Sequence, residues 1–239
     1  GTDAWIAYEQ RLRDRLADAG GGRFSEALAR ELLDQTNAAR AANGAGACRW
    51  NPELATVARA HAGDLAGRGY VEHLTPEGFD PSHRVGLIAR RLIGSASENI
   101  AYRRAGAPAT AAQLMTGWRN SPPHWTNLLR PTHTDIGLGV AARGERTYAV
   151  GLYARPDGAL GAPLPFRLDR EADLAAAIGG ASPPLDGFSL TDPVDEQRPL
   201  AWTGHQILTL APGIYQLRPR RQVAPGRHAV YWGPIFVRS

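Results

Sequence analysis

Apolar residues recur every three or four positions over residues 3–19, where Trp5, Tyr8, Leu12 and Leu16 share one stripe with Arg and Asp between them. That period predicts an amphipathic helix, and Gly20-Gly21-Gly22 ends it as a hinge. A Trp and Tyr stripe left in water is an aggregation liability, so this helix is expected to pack on the main body. A second helix is predicted from Ser25 to Ala42, with Ser25 as N-cap, Leu28, Leu32, Thr36 and Ala39 on one face, and Asn43-Gly44 as its stop. Asn51-Pro52-Glu53 opens a third, whose inner face carries Leu54, Val57, Ala58, His61 and Leu65. Asp80-Pro81 repeats the opening signal for a short helix, and Thr110-Ala111-Ala112-Gln113 is a capping box ahead of Leu114, Met115 and Trp118.

The period then shortens to two. Ile136–Ala141 and Thr147–Ala154 alternate around a turn at Arg143-Gly144 and predict a hairpin, with Glu98–Tyr102 as a further strand. Helices interleaved with antiparallel strands give an α+β layered domain over residues 24–156, after an N-terminal helix and hinge at 1–23. From residue 157 prolines break the chain into short pieces. Gln206–Leu210, Ile214–Leu217, Ala229–Trp232 and Ile235–Val237 are β-like and Glu171–Ile178 is helical, so 157–239 reads as a β-rich extension.

Composition narrows the chemistry. All 27 basic residues are arginine, which removes Schiff-base, Ser-x-x-Lys and P-loop lysine mechanisms. Cys48 is the only cysteine, so no intramolecular disulfide forms, and its apolar neighbours mark a buried thiol. No apolar run approaches the ~18 residues of a membrane span. The opening Gly1-Thr2-Asp3 has no basic and apolar leader, so any signal peptide is expected to have been removed or to lie outside this sequence. The net charge is +4, and no acid follows residue 200, where Arg218, Arg220, Arg221 and Arg227 form a candidate anionic-surface contact. Nucleic acid is not an expected partner.

Three stretches then carry the chemistry: Glu72-His73-Leu74-Thr75-Pro76-Glu77-Gly78, Ser97-Glu98-Asn99-Ile100-Ala101, and Trp118 to Leu129 with Ser121-Pro122-Pro123-His124 inside it. In this order, and followed by Asp135-Ile136-Gly137-Leu138-Gly139-Val140, they resemble the CAP superfamily of SCP-like proteins, which includes cysteine-rich secretory, antigen 5 and pathogenesis-related proteins. The absence of disulfides points to a bacterial-type member. The resemblance implies a three-layer α-β-α sandwich, secretion to the periplasm or cell exterior, and a central cleft lined by two His and two Glu. Position assigns His73 and Glu98 to that cleft. Ser121 stands where plant-type members carry the second Glu, and either His124 or His133 supplies the second imidazole.

Two histidines and a carboxylate are a minimal kit for acid–base work or for a metal, so His73 and His124 are candidate ligands of Zn²⁺ or another divalent cation. The same groups can instead form a satisfied network at the bottom of a cleft. No Gly-x-Ser-x-Gly elbow exists, and Ser121 ahead of Pro122 reads as a helix cap rather than a nucleophile. Three functions are therefore open. They are a binding module for a lipid or other cell-envelope ligand, a metal-dependent hydrolase using the cleft, and an anchor through the C-terminal arginines.

Overall fold

The computed structural model describes residues 1–105, 108–195 and 209–239, together with the backbone of 199–201. The chain forms two compact units, one of Gln10–Arg84 and Ala96–Arg155, the other of Gly1–Glu9, Val85–Ser95 and Pro156–Ser239. The change of texture at residue 156 coincides with a unit boundary. Two stretches lie differently from the division expected along the sequence. The first helix is shared between the units, and Val85–Ser95 belongs with the C-terminal residues.

In the first unit, α1 (Thr2–Ala17) contributes its second half, followed by β1 (Arg23–Phe24), α2 (Glu26–Ala42), β2 (Arg49–Trp50) and α3 (Pro52–Arg68). Next come α4 (Pro81–Ile88), whose first four residues belong here, β4 (Ala96–Arg104), α5 (Ala111–Arg119), α6 (Pro122–Leu128), β5 (Asp135–Arg143) and β6 (Arg146–Ala154). The caps stand where the sequence puts them: Ser25 accepts from the Leu28 N–H, Asn51 from the Leu54 N–H, and Thr110 with Gln113 closes the capping box. The sheet runs β1-β5-β6-β4, with β2 pairing parallel to β5, and β4 is its edge strand.

Strand alternation sorts β5 into two faces. Ile136, Leu138 and Val140 pack with Ala29 and Leu32 of α2 and Leu114, Met115 and Trp118 of α5. The opposite face carries Gly137 and Gly139, and an added Cβ there would lie 2.1 Å from the Ala55 nitrogen and 2.3 Å from the Arg59 nitrogen of α3. α3 thus rests its backbone directly on the sheet. The result is α3, sheet, then α2, α5 and α6: the three-layer α+β sandwich.

Arg40 is fully buried and donates to the carbonyls of Gly46, of Leu128 at the end of α6, and of Arg130 and His133 in the connection between α6 and β5. A guanidinium spent on four carbonyls fixes that irregular segment, whose backbone polar groups need partners once buried. Cys48 is buried and unpaired, and burial raises its thiol pKa.

The second unit pairs β3 (Leu92–Ile93) with β7 (Gly158–Ala159) and carries α7 (Glu171–Gly179). A sheet of β8 (Gly187–Thr191), β9 (Pro199–Ala201), β10 (Gly213–Ala224), β11 (Arg227–Val230) and β12 (Ile235–Arg238) completes it. Its core joins Leu160, Leu164, Leu168, Leu174, Phe188, Leu217 and Phe236. The expected helix at 171–178 and the three strands after residue 213 are present. Of the expected strand Gln206–Leu210, positions 206–208 lie outside the described residues, and 209–210 are not strand. Among the described residues, no helix is long and apolar enough to cross a membrane.

Candidate functional site

The site begins with α3. Asp64 is fully buried and accepts from Arg68 and Tyr70, and Arg68 reaches on to Glu77. Burial opposes ionisation of Asp64, but the Arg68 and Tyr70 hydrogen bonds outweigh it and hold the carboxyl below its usual range. These bonds tie both ends of the 70–78 loop to the helix and so place His73.

The cleft carboxylate is Glu98 on edge strand β4. Its side chain is 2% exposed, and the fully buried Arg84 of α4 donates to Oε1 at 3.1 Å and Oε2 at 3.0 Å. His73 Nδ1–H donates to Oε1 at 2.8 Å. Arg84 also donates to the His73 carbonyl at 2.8 Å, so one guanidinium orients both the carboxylate and the histidine backbone. Burial would raise the Glu98 pKa, yet the Arg84 charge and the His73 bond hold it below the ordinary value. Conversely, the bond to Glu98 raises the pKa of His73 against the effect of burial.

His61 of α3 completes the floor. It is 0% exposed, its Nε2–H donates to the Glu72 carbonyl at 3.0 Å, and the same nitrogen lies 4.0 Å from Glu98 Oε1. Burial and the Arg84 charge lower its pKa to about 4, so it is neutral at pH 7. Its Nδ1 has no hydrogen-bond partner among the described residues.

Ser121 and His124 form a second pair. Ser121 holds the N-cap backbone position of α6, but its hydroxyl makes no cap bond and shares a 2.7 Å hydrogen bond with His124 Nδ1. Pro122 and Pro123 lack N–H groups, leaving few backbone donors at this helix start for the hydroxyl to cap. Burial lowers the pKa of His124, and the charge of His73 adds to the effect.

His133 stands elsewhere. It is 7% exposed, stacks on Tyr153 with 5.4 Å between ring centroids, and donates from Nε2 to the Asn127 carbonyl at 2.8 Å. Asn127 in turn bonds Ser97 and Asn99, and Asn99 donates to the His124 carbonyl. This chain of bonds joins β4 to α6, so Glu98 and Asn99, adjacent in sequence, serve the cleft and the packed layer respectively.

The residues expected in the cleft are thus two pairs, His73 with Glu98 and His124 with Ser121, while His133 is a packing residue. The open concavity of about 360 Å³ beside the first pair is lined by His73, Asp80, Pro81, Ser82, Ala96, Ser97 and Glu98. A catalytic zinc takes three protein ligands. Among the described residues no group of three His, Cys, Asp or Glu is placed to hold a metal ion, and both Glu98 oxygens are already bonded to Arg84. The donor set does not fit a resident catalytic metal, and no metal-assisted step follows from it. Arg84 and His61, which complete the Glu98 site, carry no motif. The available signals are an Arg directly ahead of the apolar run Val85-Gly86-Leu87-Ile88 and a His at the inner-face period of α3.

A three-layer α+β sandwich whose edge-strand Glu is bonded to a loop His defines the class. The Cysteine-rich secretory protein (CAP) family model matches residues 33–153, just over half of the chain, and the protein belongs to that family. Its relatives include the uncharacterized protein YkwD of Bacillus subtilis, 29% identical over 122 residues, 50% of this chain and 44% of that protein. The chain therefore spans less than half the length of this relative. An outer surface protein of Borrelia burgdorferi superposes with a TM-score of 0.50 at 17% identity, covering 57% of this chain and 99% of that one. An extracellular SCP-domain protein of Bacillus anthracis gives a TM-score of 0.47 at 23% identity, covering 54% of this chain and 41% of that one.

Proposed function

We propose that this chain is a secreted binding module that presents the His73 and His124 imidazoles to a cell-envelope ligand. The observation that carries this reading is the state of Glu98. A general base must reach a proton in a substrate and have a pKa near the working pH. Glu98 is buried, bonded through both oxygens to Arg84, and held below the ordinary carboxylate range. It acts as a positioning group, fixing Nδ1 of His73 and leaving Nε2 as the contacting atom on a half-exposed ring. The outer surface protein of Borrelia burgdorferi that shares the fold supports an envelope setting.

Purified protein should co-sediment with isolated cell-wall sacculi, and His73→Ala with His124→Ala should release it while the thermal melt stays intact. The same protein should leave envelope peptides, esters and glycans unhydrolysed, with or without added Zn²⁺. Sustained turnover that His73→Ala abolishes would replace this reading with the hydrolase one. Unchanged sedimentation of the double variant would place the ligand away from the cleft.

A further inference from the structure

The arginines that the sequence offers for an anionic partner are engaged within the C-terminal unit. Arg218 stacks 3.6 Å over Trp232 and donates to the Tyr231 carbonyl, Arg220 pairs with Asp186, and Arg221 donates to the carbonyls of Asp157, Pro183 and Pro184. Of the four, only Arg227 is exposed.

A different group of arginines stands at the β5–β6 end of the other unit. Strand register sets Arg104 of β4 directly opposite Arg146 of β6, and Arg146 directly opposite Arg143 of β5. Three arginines thus occupy one rung across three adjacent strands, on one face and about 4.8 Å apart at the backbone. Like charges directly opposite one another destabilise a sheet. All three line one open concavity of about 550 Å³, with Arg68, Tyr148, the Gly67 and Gly69 end of α3 and Gly144 of the hairpin turn. Its only acid is Glu145, which lies 3.5 Å from Arg104, with both side chains more than 60% exposed; such a pair neutralises little. Arg143 donates to the Gly67 carbonyl at 3.0 Å, and the Arg146 side chain makes no hydrogen bond or ion pair among the described residues.

We propose that this rung binds a flexible anionic polymer whose repeating phosphate or carboxylate groups run across the strand ends. Chain-borne charges match a row of cations better than one small anion does, because successive groups meet successive guanidiniums, which bond phosphate and carboxylate alike. A concave floor disfavours a planar membrane surface. This proposal is independent of the histidine cleft, which uses none of the three rung arginines.

The test is fluorescence anisotropy of the full chain with labelled inorganic polyphosphate and with labelled polygalacturonate, from 25 to 300 mM NaCl. Oligo-dT and phosphatidylglycerol vesicles serve as comparison ligands. Binding of either polymer should weaken steeply with salt, and Arg104→Gln with Arg146→Gln should weaken it at least tenfold. Both positions are exposed, so the thermal melt should match wild type and Arg227→Gln should bind normally. Preference for one polymer identifies the charged group. Wild-type affinity in the double variant, absence of binding at 25 mM salt, loss on Arg227→Gln instead, or tighter binding of oligo-dT or the vesicles than of both polymers would each overturn the proposal.

Discussion

Replacement of Arg84 by Met should lower the unfolding free energy by about 3–5 kcal/mol, the range for removing one partner of a buried ion pair. The substitution keeps most of the volume and leaves Glu98, 2% exposed, without its counter-ion. It also removes the donor to the His73 carbonyl. The cost should fall when Glu98→Gln is added, because the buried charge disappears with its partner. Urea unfolding of the two single variants and the double one measures this. A loss below about 1 kcal/mol for Arg84→Met would mean that solvent already screens the pair.

The second large effect is expected at Gly137, where alanine should destabilise by about 3 kcal/mol or more, at or above the upper end for overpacking a filled core. The added Cβ would stand 2.1 Å from the Ala55 nitrogen and 2.3 Å from the Leu54 carbonyl carbon. Both are backbone atoms near the start of α3, so no side-chain rotation relieves the clash and the helix itself must move. Gly117 of α5 is the control. A Cβ there meets nothing within 4 Å, and alanine in a helix is favoured over glycine by roughly 0.5–1 kcal/mol. Thermal melts should therefore move in opposite directions for Gly137→Ala and Gly117→Ala.

Local elements were legible because their signals are local. Ser25, Asn51 and Thr110 cap helices through bonds to groups three residues on, and Arg143-Gly144 closes a hairpin between neighbouring strands. The Gly137-x-Gly139 spacing marked the strand, but its purpose, the approach of α3, depends on a helix some 80 residues earlier. His73 and Glu98 were found by resemblance, whereas their partner Arg84 was not. A counter-ion needs only charge and reach, and any of 27 arginines could have supplied it. Ser121 was misjudged in a different way. Its place at the helix start was read from the chain, while the bond to His124 depends on rotamers that spacing does not specify. The arginine rung was likewise hidden, since it arises only when register sets residues 104, 143 and 146 side by side.

The central claim is that an Arg84-locked Glu98 pins Nδ1–H of His73 and leaves its Nε2 open. Long-range ¹H–¹⁵N NMR of the imidazoles across a pH titration tests this most directly. His73 should titrate above the ordinary value of 6.5, show the Nδ1–H tautomer once neutral, and fall toward 6.5 in Glu98→Gln. A His73 that titrates at or below 6.5 with Glu98 intact, or is neutral as the Nε2–H tautomer, would contradict it.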